Sequence, residues 1–184
     1  ANDADVLGFE AEIDLRPFDG WAPDILEGLW ARLTFAVLES KYTDFVNVFE
    51  VQNFDGDLSV TTVTQDLTGN RLLNAPRMAF VGFLTWTFDG KWGSITPRFD
   101  WSFKDRIYFT AENSEYVEQK ALWLAYLRLT YRDPSERFEL AGWIENLTDQ
   151  AYTVDAFNLA RLRRSVLHAI GDPRTYGLTA SFRF

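Results

Sequence analysis

The side chains in this sequence that could do chemistry are few, and their types favour binding over catalysis. His168 is the single histidine, and the chain has no cysteine. One histidine without ordered partners does not provide the general base that nucleophilic or acid–base catalysis needs. The lack of cysteine excludes disulfides and thiolate metal sites. We therefore predict no catalytic residues, no metal site and no cofactor, and we expect that the chain is not an enzyme.

Three arginines, Arg161, Arg163 and Arg164, form a basic cluster near His168 in a chain whose formal net charge is −9. Guanidinium groups bind carboxylates and phosphates through paired hydrogen bonds. These four residues are therefore a possible ligand-contact loop for an anionic solute, or a contact for lipopolysaccharide phosphates, although plain surface exposure is the simpler interpretation. The acidic balance excludes nucleic acid as a partner, because nucleic-acid binding requires a basic patch.

Tryptophan is abundant, and six of the seven residues could either stack on sugars or anchor strand ends at a membrane interface. These are Trp30, Trp86, Trp92, Trp101, Trp123 and Trp143. Several stand near the ends of predicted strands, where tryptophan and tyrosine form interfacial belts. We therefore favour the interfacial interpretation.

Seven segments that alternate apolar and polar residues must position these side chains. They cover about residues 7–16, 28–40, 77–88, 95–104, 121–132, 137–147 and 176–184. Alternation with period two is typical of strands with one apolar and one polar face. The third segment is ambiguous, since Val81 and Phe83 lie opposite its main apolar face. Pro97 within the fourth would normally indicate a strand edge or a bulge.

Composition agrees with strands that face lipid on one side and water on the other. Aromatic residues make up 16% of the chain, yet the mean hydropathy is −0.19. Acidic residues Glu10, Glu12 and Asp14 alternate with the apolar residues of the first strand, which predicts a charged ladder paired with basic neighbours. No apolar run is long enough for a transmembrane helix. The pattern is that of an outer-membrane β-barrel.

The connections between the predicted strands alternate strictly between short and long. The long ones cover about residues 41–76, 105–120 and 149–173. Barrels of the bacterial outer membrane have short periplasmic turns and long extracellular loops. A periplasmic C-terminus then places all three long connections outside the cell. The segregation favours a transmembrane barrel over a soluble all-β fold.

Seven strands cannot close an antiparallel barrel, because single-chain bacterial barrels have even strand numbers. Three explanations are open. The chain is a slice of a larger barrel, several chains close one barrel, or a strand at Leu58–Gln65 completes the count. The third is the least favoured, because a strand within a long loop would spoil the alternation of loop lengths.

Several motifs together carry a family resemblance over essentially the whole chain. They are Gly8-Phe-Glu-Ala-Glu-Ile-Asp-Leu, Tyr42-Thr-Asp-Phe45, Gly69-Asn-Arg-Leu-Leu-Asn-Ala-Pro-Arg77, Trp143-Ile-Glu-Asn-Leu-Thr-Asp-Gln-Ala-Tyr152 and Asp172-Pro-Arg-Thr-Tyr-Gly177. Each motif alone is weak, but in this order the chain resembles the end of the barrel of TonB-dependent outer-membrane receptors. The resemblance implies an all-β fold, namely an antiparallel transmembrane segment of about seven strands from a barrel of about 22 strands.

The same resemblance implies a function and partners. Residues 1–184 would be the C-terminal portion of the barrel, without the N-terminal plug domain and the earlier strands. The expected activity is TonB-energised uptake of a scarce solute, such as a ferric siderophore, cobalamin or an oligosaccharide, with TonB contacted only through the N-terminal part. Other expected partners are outer-membrane lipid, lipopolysaccharide and the barrel insertion machinery. A porin-like or oligomeric passive barrel and a soluble ligand-binding β-barrel are the alternatives.

The last strand has a further predicted role. Tyr176, Gly177, Phe182 and Phe184 resemble the C-terminal signal by which the insertion machinery recognises barrel proteins. Aromatic side chains that simply face lipid would give the same pattern. Both interpretations are compatible.

Overall fold

An antiparallel β-sheet of seven long strands, arranged in chain order, forms the body of the protein. The computed structural model describes residues 3–21, 23–52, 59–159 and 165–184. The seven strands are β1 (Asp3–Leu15), β2 (Leu29–Asp44), β5 (Met78–Trp86), β7 (Gly93–Lys104), β10 (Leu122–Arg132), β11 (Phe138–Glu145) and β14 (Thr175–Phe182). Each pairs antiparallel with the next, and a short strand β6 (Phe88–Gly90) also pairs with β7. The seven predicted strands are confirmed, with β1 and β2 longer than expected.

The register aligns all seven apolar stripes on one face of the sheet, which we call the apolar face. Directly opposed pairs on this face include Phe9–Val37, Phe35–Phe80, Phe80–Phe103, Phe103–Trp123 and Ile144–Tyr176. Because successive side chains of a strand point to opposite sides, the other residues form a polar face. Val81 and Phe83 lie on the polar face, which resolves the ambiguity of the third predicted strand.

Long connections all leave the sheet at one end, which we call the long-loop end. Each carries a two-stranded hairpin of its own. The hairpins are β3 (Val46–Gln52) with β4 (Val60–Asp66), β8 (Ile107–Tyr108) with β9 (Glu118–Gln119), and β12 (Thr153–Asn158) with β13 (Val166–Ile170). The region named as a missed strand, Leu58–Gln65, therefore does contain a strand, but it pairs with β3 and leaves the order of the main sheet unchanged.

The helical structure is limited to short segments. A one-turn helix α1 (Asp24–Glu27) lies in the connection between β1 and β2, and a 3₁₀ turn (Glu115–Val117) precedes β9. Within the described residues, no helix has the length and apolarity needed to cross a membrane.

Pro97 lies in an interior strand, as the predicted strand over residues 95–104 requires, although a proline within a strand normally indicates an edge or a bulge. The pairing of β5 with β7 reaches Arg98, and the pairing of β6 with β7 resumes at Ile95. Pro97 thus stands opposite the break between β5 and β6, where the β-ladder on that side is interrupted. A residue without an N–H donor is tolerated at such a break.

The C-terminal strand ends at Phe182, two residues before the end that the alternation predicted. Its partner β11 begins at Phe138, so no strand residue remains opposite the last two positions. The backbone N–H of Arg183 still donates to the carbonyl of Arg137 at 2.8 Å. This bond keeps the chain end beside the turn between β10 and β11.

Most of the deeply buried side chains lie among the loops and not in the sheet. Among the described residues, four of the five buried hydrophobic side chains are at the long-loop end, namely Leu67, Ile107, Val117 and Ala156. The fifth, Ala141, is on the polar face of β11. The long-loop end is therefore a packed structure with its own small core, which fixes the positions of the loops.

Candidate functional site

Charged and aromatic side chains form a continuous cluster on the polar face, across β1, β2, β5 and β7. Trp30 and Arg32 both reach Asp14: the Trp30 indole N–H donates to one carboxylate oxygen at 2.8 Å, and Arg32 Nε donates to the other at 2.9 Å. Trp30 also makes an edge-on contact with Phe83, with 4.7 Å between the ring centroids. The guanidinium of Arg98 lies over the Phe83 ring at 4.2 Å.

This arginine–aromatic cluster ends on Asp100, which receives hydrogen bonds from Arg98 Nε at 2.9 Å and from its Nη2 at 2.6 Å. Forked contacts of this kind fix orientation as well as charge. The side chains of Arg98 and Asp100 are 38% and 33% exposed, so the pair is partly screened by solvent. The charges of this cluster are paired within it, Arg32 with Asp14 and Arg98 with Asp100.

A second ionic group joins β10 to β11 on the same face. Arg132 Nη2 lies 2.9 Å from a Glu139 carboxylate oxygen, and Arg128 Nη2 lies 3.8 Å from the other. Between these groups is an open recess of about 490 Å³. Its polar-face lining is Val81, Asp100, Ser102, Tyr126, Arg128, Trp143 and Glu145. Carboxylates, a guanidinium and two aromatic rings can bind a hydroxylated or charged group, but they form no nucleophile–base pair.

The first two long loops are joined by a reciprocal pair of hydrogen bonds. Asn113 accepts from the backbone N–H of Arg71 at 2.7 Å and donates from its amide to the Arg71 carbonyl at 2.9 Å. The Asn70 amide donates to the Ala111 carbonyl at 2.9 Å, and the Asn74 N–H donates to the Tyr108 carbonyl at 2.9 Å. The segment 69–77 therefore holds the loops together.

The loop after β11 is fixed by the buried side chain of Asn146, which is only 3% exposed. Its amide donates to the carbonyls of Gln150 at 2.9 Å and Asp172 at 3.1 Å, and its oxygen accepts from the Gln150 N–H at 2.9 Å. Asp149 accepts from the Arg174 N–H at 3.1 Å. The motif 143–152 and the motif 172–177 are thus two halves of one hydrogen-bonded structure.

A carboxylate at the long-loop end, that of Asp66, also fixes a turn. Hydrogen bonds from the Thr68 side chain and backbone N–H, the latter at 2.9 Å, lower the pKa of Asp66 below its ordinary value. Asp66 ends β4, so its charge stabilises the turn that leads into the segment 69–77.

The predicted ligand-contact loop is described only in part. Arg161, Arg163 and Arg164 lie outside the described residues. His168 lies exposed on β13 opposite Ala156, with its Nδ1 at 3.4 Å from the Thr153 hydroxyl. Within the described part of the chain, no group of three or more His, Cys, Asp or Glu side chains could hold a metal ion.

Three of the four residues of the predicted assembly signal lie on β14, on both of its faces, and Phe184 lies beyond its end. Tyr176 lies on the apolar face and is 79% exposed. Gly177 lies on the polar face opposite Trp143. Phe182 and Phe184 contact each other at the chain end, with 5.2 Å between their ring centroids. The terminal aromatics are therefore grouped and exposed at the short-turn end.

Five of the six tryptophans considered lie on the two faces of the sheet, and Trp92 lies in the turn between β6 and β7. Trp86 and Trp123 lie on the apolar face near opposite strand ends, as an interfacial belt requires. Trp101 lies on the same face in mid-strand. Trp30 and Trp143 lie on the polar face, each held by an N–H donor bond. The alternation of apolar and polar residues could have assigned Trp30 and Trp143 to the polar face. The prediction relied instead on how close they stand to strand ends, which does not give the face.

Asn113 and Asn146 were not singled out from the sequence as side chains that organise the loops. Both have positive φ, 53° and 47°. Asparagine is enriched in this conformation, and for Asn146 its place directly after β11 was the available signal.

Comparison with known proteins gives the family. The description "TonB dependent receptor-like, beta-barrel" matches residues 1–147. No curated protein sequence matches the chain.

Solved structures share the fold at low sequence identity. The ferric yersiniabactin uptake receptor FyuA from Yersinia pestis superposes with a TM-score of 0.75 at 21% identity, over 100% of this chain and 24% of that one. The siderophore receptor PiuA from Acinetobacter baumannii gives 0.69 at 17%, over 98% of this chain and 22% of that one. The ferric-catecholate import receptor Fiu from Escherichia coli K12 gives 0.52 at 17%, over 98% and 28%.

The chain spans about a quarter of the length of these structures. All three are receptors, and the family is one of transport receptors, in agreement with the prediction that the chain is not an enzyme. The all-β antiparallel fold with segregated faces, the matched family description and the receptor neighbours agree. This chain belongs to the TonB-dependent receptor β-barrel family.

Proposed function

We propose that the chain is the C-terminal part of the barrel of an outer-membrane receptor that takes up a ferric siderophore with energy supplied through TonB. The observation that carries the proposal is a seven-stranded antiparallel sheet with one apolar and one polar face in a member of this family. The named neighbours FyuA, PiuA and Fiu are receptors for ferric yersiniabactin, siderophores and ferric catecholates. They support a siderophore over cobalamin or an oligosaccharide.

In this proposal the apolar face contacts lipid and the polar face lines the lumen. The long-loop end is extracellular, and the turns between β5 and β7 and between β10 and β11 are periplasmic. Phe80, Phe103 and Trp123 form one aromatic group toward the long-loop end, with centroids 4.8 to 5.1 Å apart. Such groups suit the level of the lipid headgroups.

Strand direction supports a larger barrel. In the described residues, β1 and β14 are the two ends of the sheet, and seven antiparallel strands leave them pointing the same way. Antiparallel closure therefore needs an odd number of further strands, a condition that a parent barrel of about 22 strands meets.

The same direction argues against closure by several copies of this chain. Copies inserted with one orientation would bring β14 of one beside β1 of the next in a parallel arrangement, which up-and-down barrels do not use. An oligomeric passive barrel is thus the less favoured alternative.

Solute contact is proposed for the third long loop, which contains Arg161, Arg163, Arg164 and His168. Arginines there suit a negatively charged ferric complex. The plug domain and the TonB-contact segment would belong to a part of the protein outside this chain. Lipopolysaccharide and the barrel insertion machinery are the proposed partners of the apolar face and of the terminal strand.

Uptake by the intact receptor tests the proposal. The full reading frame is expressed in a host that lacks its own siderophore receptors, and uptake of ⁵⁵Fe-labelled catecholate, hydroxamate and phenolate siderophores is measured with and without active TonB. Cobalamin and a maltooligosaccharide serve as comparison solutes. We expect TonB-dependent uptake of one siderophore class.

Two results would contradict the proposal in different ways. Uptake that is equal with and without TonB would favour a passive barrel. TonB-dependent uptake of only cobalamin or the oligosaccharide would keep the receptor assignment and reject the siderophore.

A further inference from the structure

The free edge of β1 is the most informative surface that the proposed function leaves unexplained. Among the described residues, β1 pairs with β2 on one side only. An end strand presents a row of unpaired backbone N–H and C=O groups. In a membrane these groups must be paired within protein, so another strand has to cover this edge. This step rests on the proposed function.

Three carboxylates on the polar face of β1 differ in how well β2 partners them. Asp14 receives donors from Trp30 and from two nitrogens of Arg32. Glu12 has one longer ion-pair contact, 3.7 Å to Arg32 Nε. Glu10 is exposed and has no ion pair in the described part of the chain. The number of hydrogen-bond donors and cations that contact each carboxylate therefore falls from Asp14 through Glu12 to Glu10.

The register explains this gradient. Asp14 stands directly opposite Arg32, Glu12 opposite Thr34, and Glu10 opposite Ala36. Beyond Ala36, the next polar-face residue is Ala79 on β5. No cation therefore approaches Glu10 from the β2 side, within the residues that the structure describes.

We propose that the strand covering the free edge of β1 carries lysine or arginine on its polar face beside Glu10 and Glu12. Directly opposed side chains in an antiparallel pair lie about 5 Å apart, close enough for such ion pairs. The covering strand runs antiparallel to β1, from the short-turn end to the long-loop end. Its other face is apolar, since Leu7 and Phe9 of β1 are 78% and 64% exposed and would share the lipid boundary.

Strand neighbours in an up-and-down barrel are usually neighbours in the chain. Because β1 begins at the long-loop end, the covering strand is expected directly upstream in the reading frame of the intact receptor, connected through a long loop. A basic side chain from a domain inside the lumen is the competing source of positive charge.

The test combines the upstream sequence with a charge swap in the intact receptor. We expect an alternating strand with basic residues at the two polar-face positions that oppose Glu10 and Glu12. The Glu10→Lys variant should lower the folded, heat-modifiable receptor in the outer membrane by about threefold or more, and changing the opposed basic residue to Glu should restore it. Asp89→Lys, the same kind of charge reversal at an exposed position of the short strand β6, should leave assembly unchanged.

Each alternative result overturns the inference in a recognisable way. An upstream strand without basic residues, or a charge swap that fails to restore assembly, rejects the inference and leaves the receptor proposal intact. If assembly of the Glu10→Lys variant is instead restored by changing a basic residue of a domain inside the lumen, the partner of Glu10 lies in that domain. This result also rejects the inference. A reading frame without further barrel strands rejects both this inference and the larger barrel.

Discussion

The indole of Trp143 lies over Gly177 on the polar face of the sheet. The two residues oppose each other directly between β11 and β14, and a Cβ on Gly177 would come within 2.6 Å of Trp143 Cζ2. The Trp143 N–H donates to the Thr179 hydroxyl at 3.2 Å, which holds the ring in place. Trp101 and Gly82 repeat the arrangement on the apolar face. Glycine at these positions provides room for a ring from the neighbouring strand.

Substitution of Gly177 by alanine should therefore destabilise the sheet. The added methyl group forces the indole to move and strains its hydrogen bond, at a cost of about 1–3 kcal/mol in the free energy of unfolding. Urea unfolding of the full receptor refolded in detergent, where the insertion machinery is absent, measures this packing effect separately from recognition.

Gly142→Ala is the matched control for this prediction. Its added Cβ would meet only Leu178 Cδ2, at the ordinary contact distance of 3.5 Å. A change within about 0.5 kcal/mol is expected. Equal unfolding free energies for the two variants would contradict the packing role of Gly177.

Loss of the Asn146 side chain should loosen the loop between β11 and β14. Asn146→Ala removes the donor of the carbonyls of Gln150 and Asp172, which costs about 0.5–1.5 kcal/mol for each hydrogen bond lost. Hydrogen exchange should rise at residues 147–152 and 172–175.

The positive φ of Asn146 makes a second variant necessary. Asn146→Gly keeps this backbone conformation accessible and removes only the side-chain bonds. It should show the same increase in exchange with less loss of stability. Normal exchange in Asn146→Gly would show that backbone strain, and not the amide bonds, causes the effect.

The link between the first two long loops depends on Asn113. Asn113→Gly removes both bonds to Arg71 and tolerates the φ of 53°. We expect faster exchange of the Arg71 amide, by about fivefold to tenfold for the loss of roughly 1 kcal/mol of local stability. Thr148→Ala, at an exposed position in the third loop, is the control. An unchanged Arg71 exchange rate would show that other contacts hold the segment 69–77.

Sequence alone was sufficient to predict the seven strands, because an apolar face and a polar face place opposite requirements on alternate residues. For residues such as Phe99 and Arg98, the alternation along the strand was enough to predict the face on which each side chain lies. The same alternation assigns Phe83 of the ambiguous third strand to the polar face. An aromatic ring is accommodated there because Trp30 and Arg98 cover it.

The structure of the loops was harder to predict, for a physical reason. The β3–β4 hairpin is stabilised by pairing between strands rather than by burial of one face, so residues such as Val48 and Val60 remain 60% and 58% exposed. Such strands have little hydrophobic pattern. The role of Asn113 depends on a contact 42 residues away, which no local pattern encodes.

Asp133 should make the short turn between β10 and β11 sensitive to acid. Hydrogen bonds from the Ser135 hydroxyl, and from backbone N–H groups led by that of Phe138 at 2.7 Å, lower the pKa of Asp133 below its ordinary value of 3.8. A lowered pKa in the folded protein adds stability above the unfolded value, and this stability is lost as pH falls through the folded value.

Thermal unfolding of the wild type and of Asp133→Asn checks this sign. The wild type should be the more stable protein at pH 7, and the difference should shrink as the pH falls below 3.8. Asp89→Asn, at an exposed position of the neighbouring short strand β6, is a control for general charge effects. A difference that stays constant from pH 7 to pH 3 would contradict the role of the Asp133 carboxylate.

The terminal phenylalanine provides the sharpest test of the proposed assembly signal. Phe184 is fully exposed and contacts Phe182, so few packing interactions within the barrel depend on it. Phe99 stacks on Trp101 with 5.6 Å between the rings, within the apolar face. If the last residue is recognised during insertion, deletion of Phe184 should reduce the assembled receptor in the outer membrane more than Phe99→Leu does. Folding of both proteins in detergent should remain similar, because Phe99→Leu keeps an apolar side chain at an exposed position and Phe184 makes few packing contacts. Equal assembly of the two variants in cells would contradict the assembly signal and would leave contact with lipid as the role of the terminal aromatics.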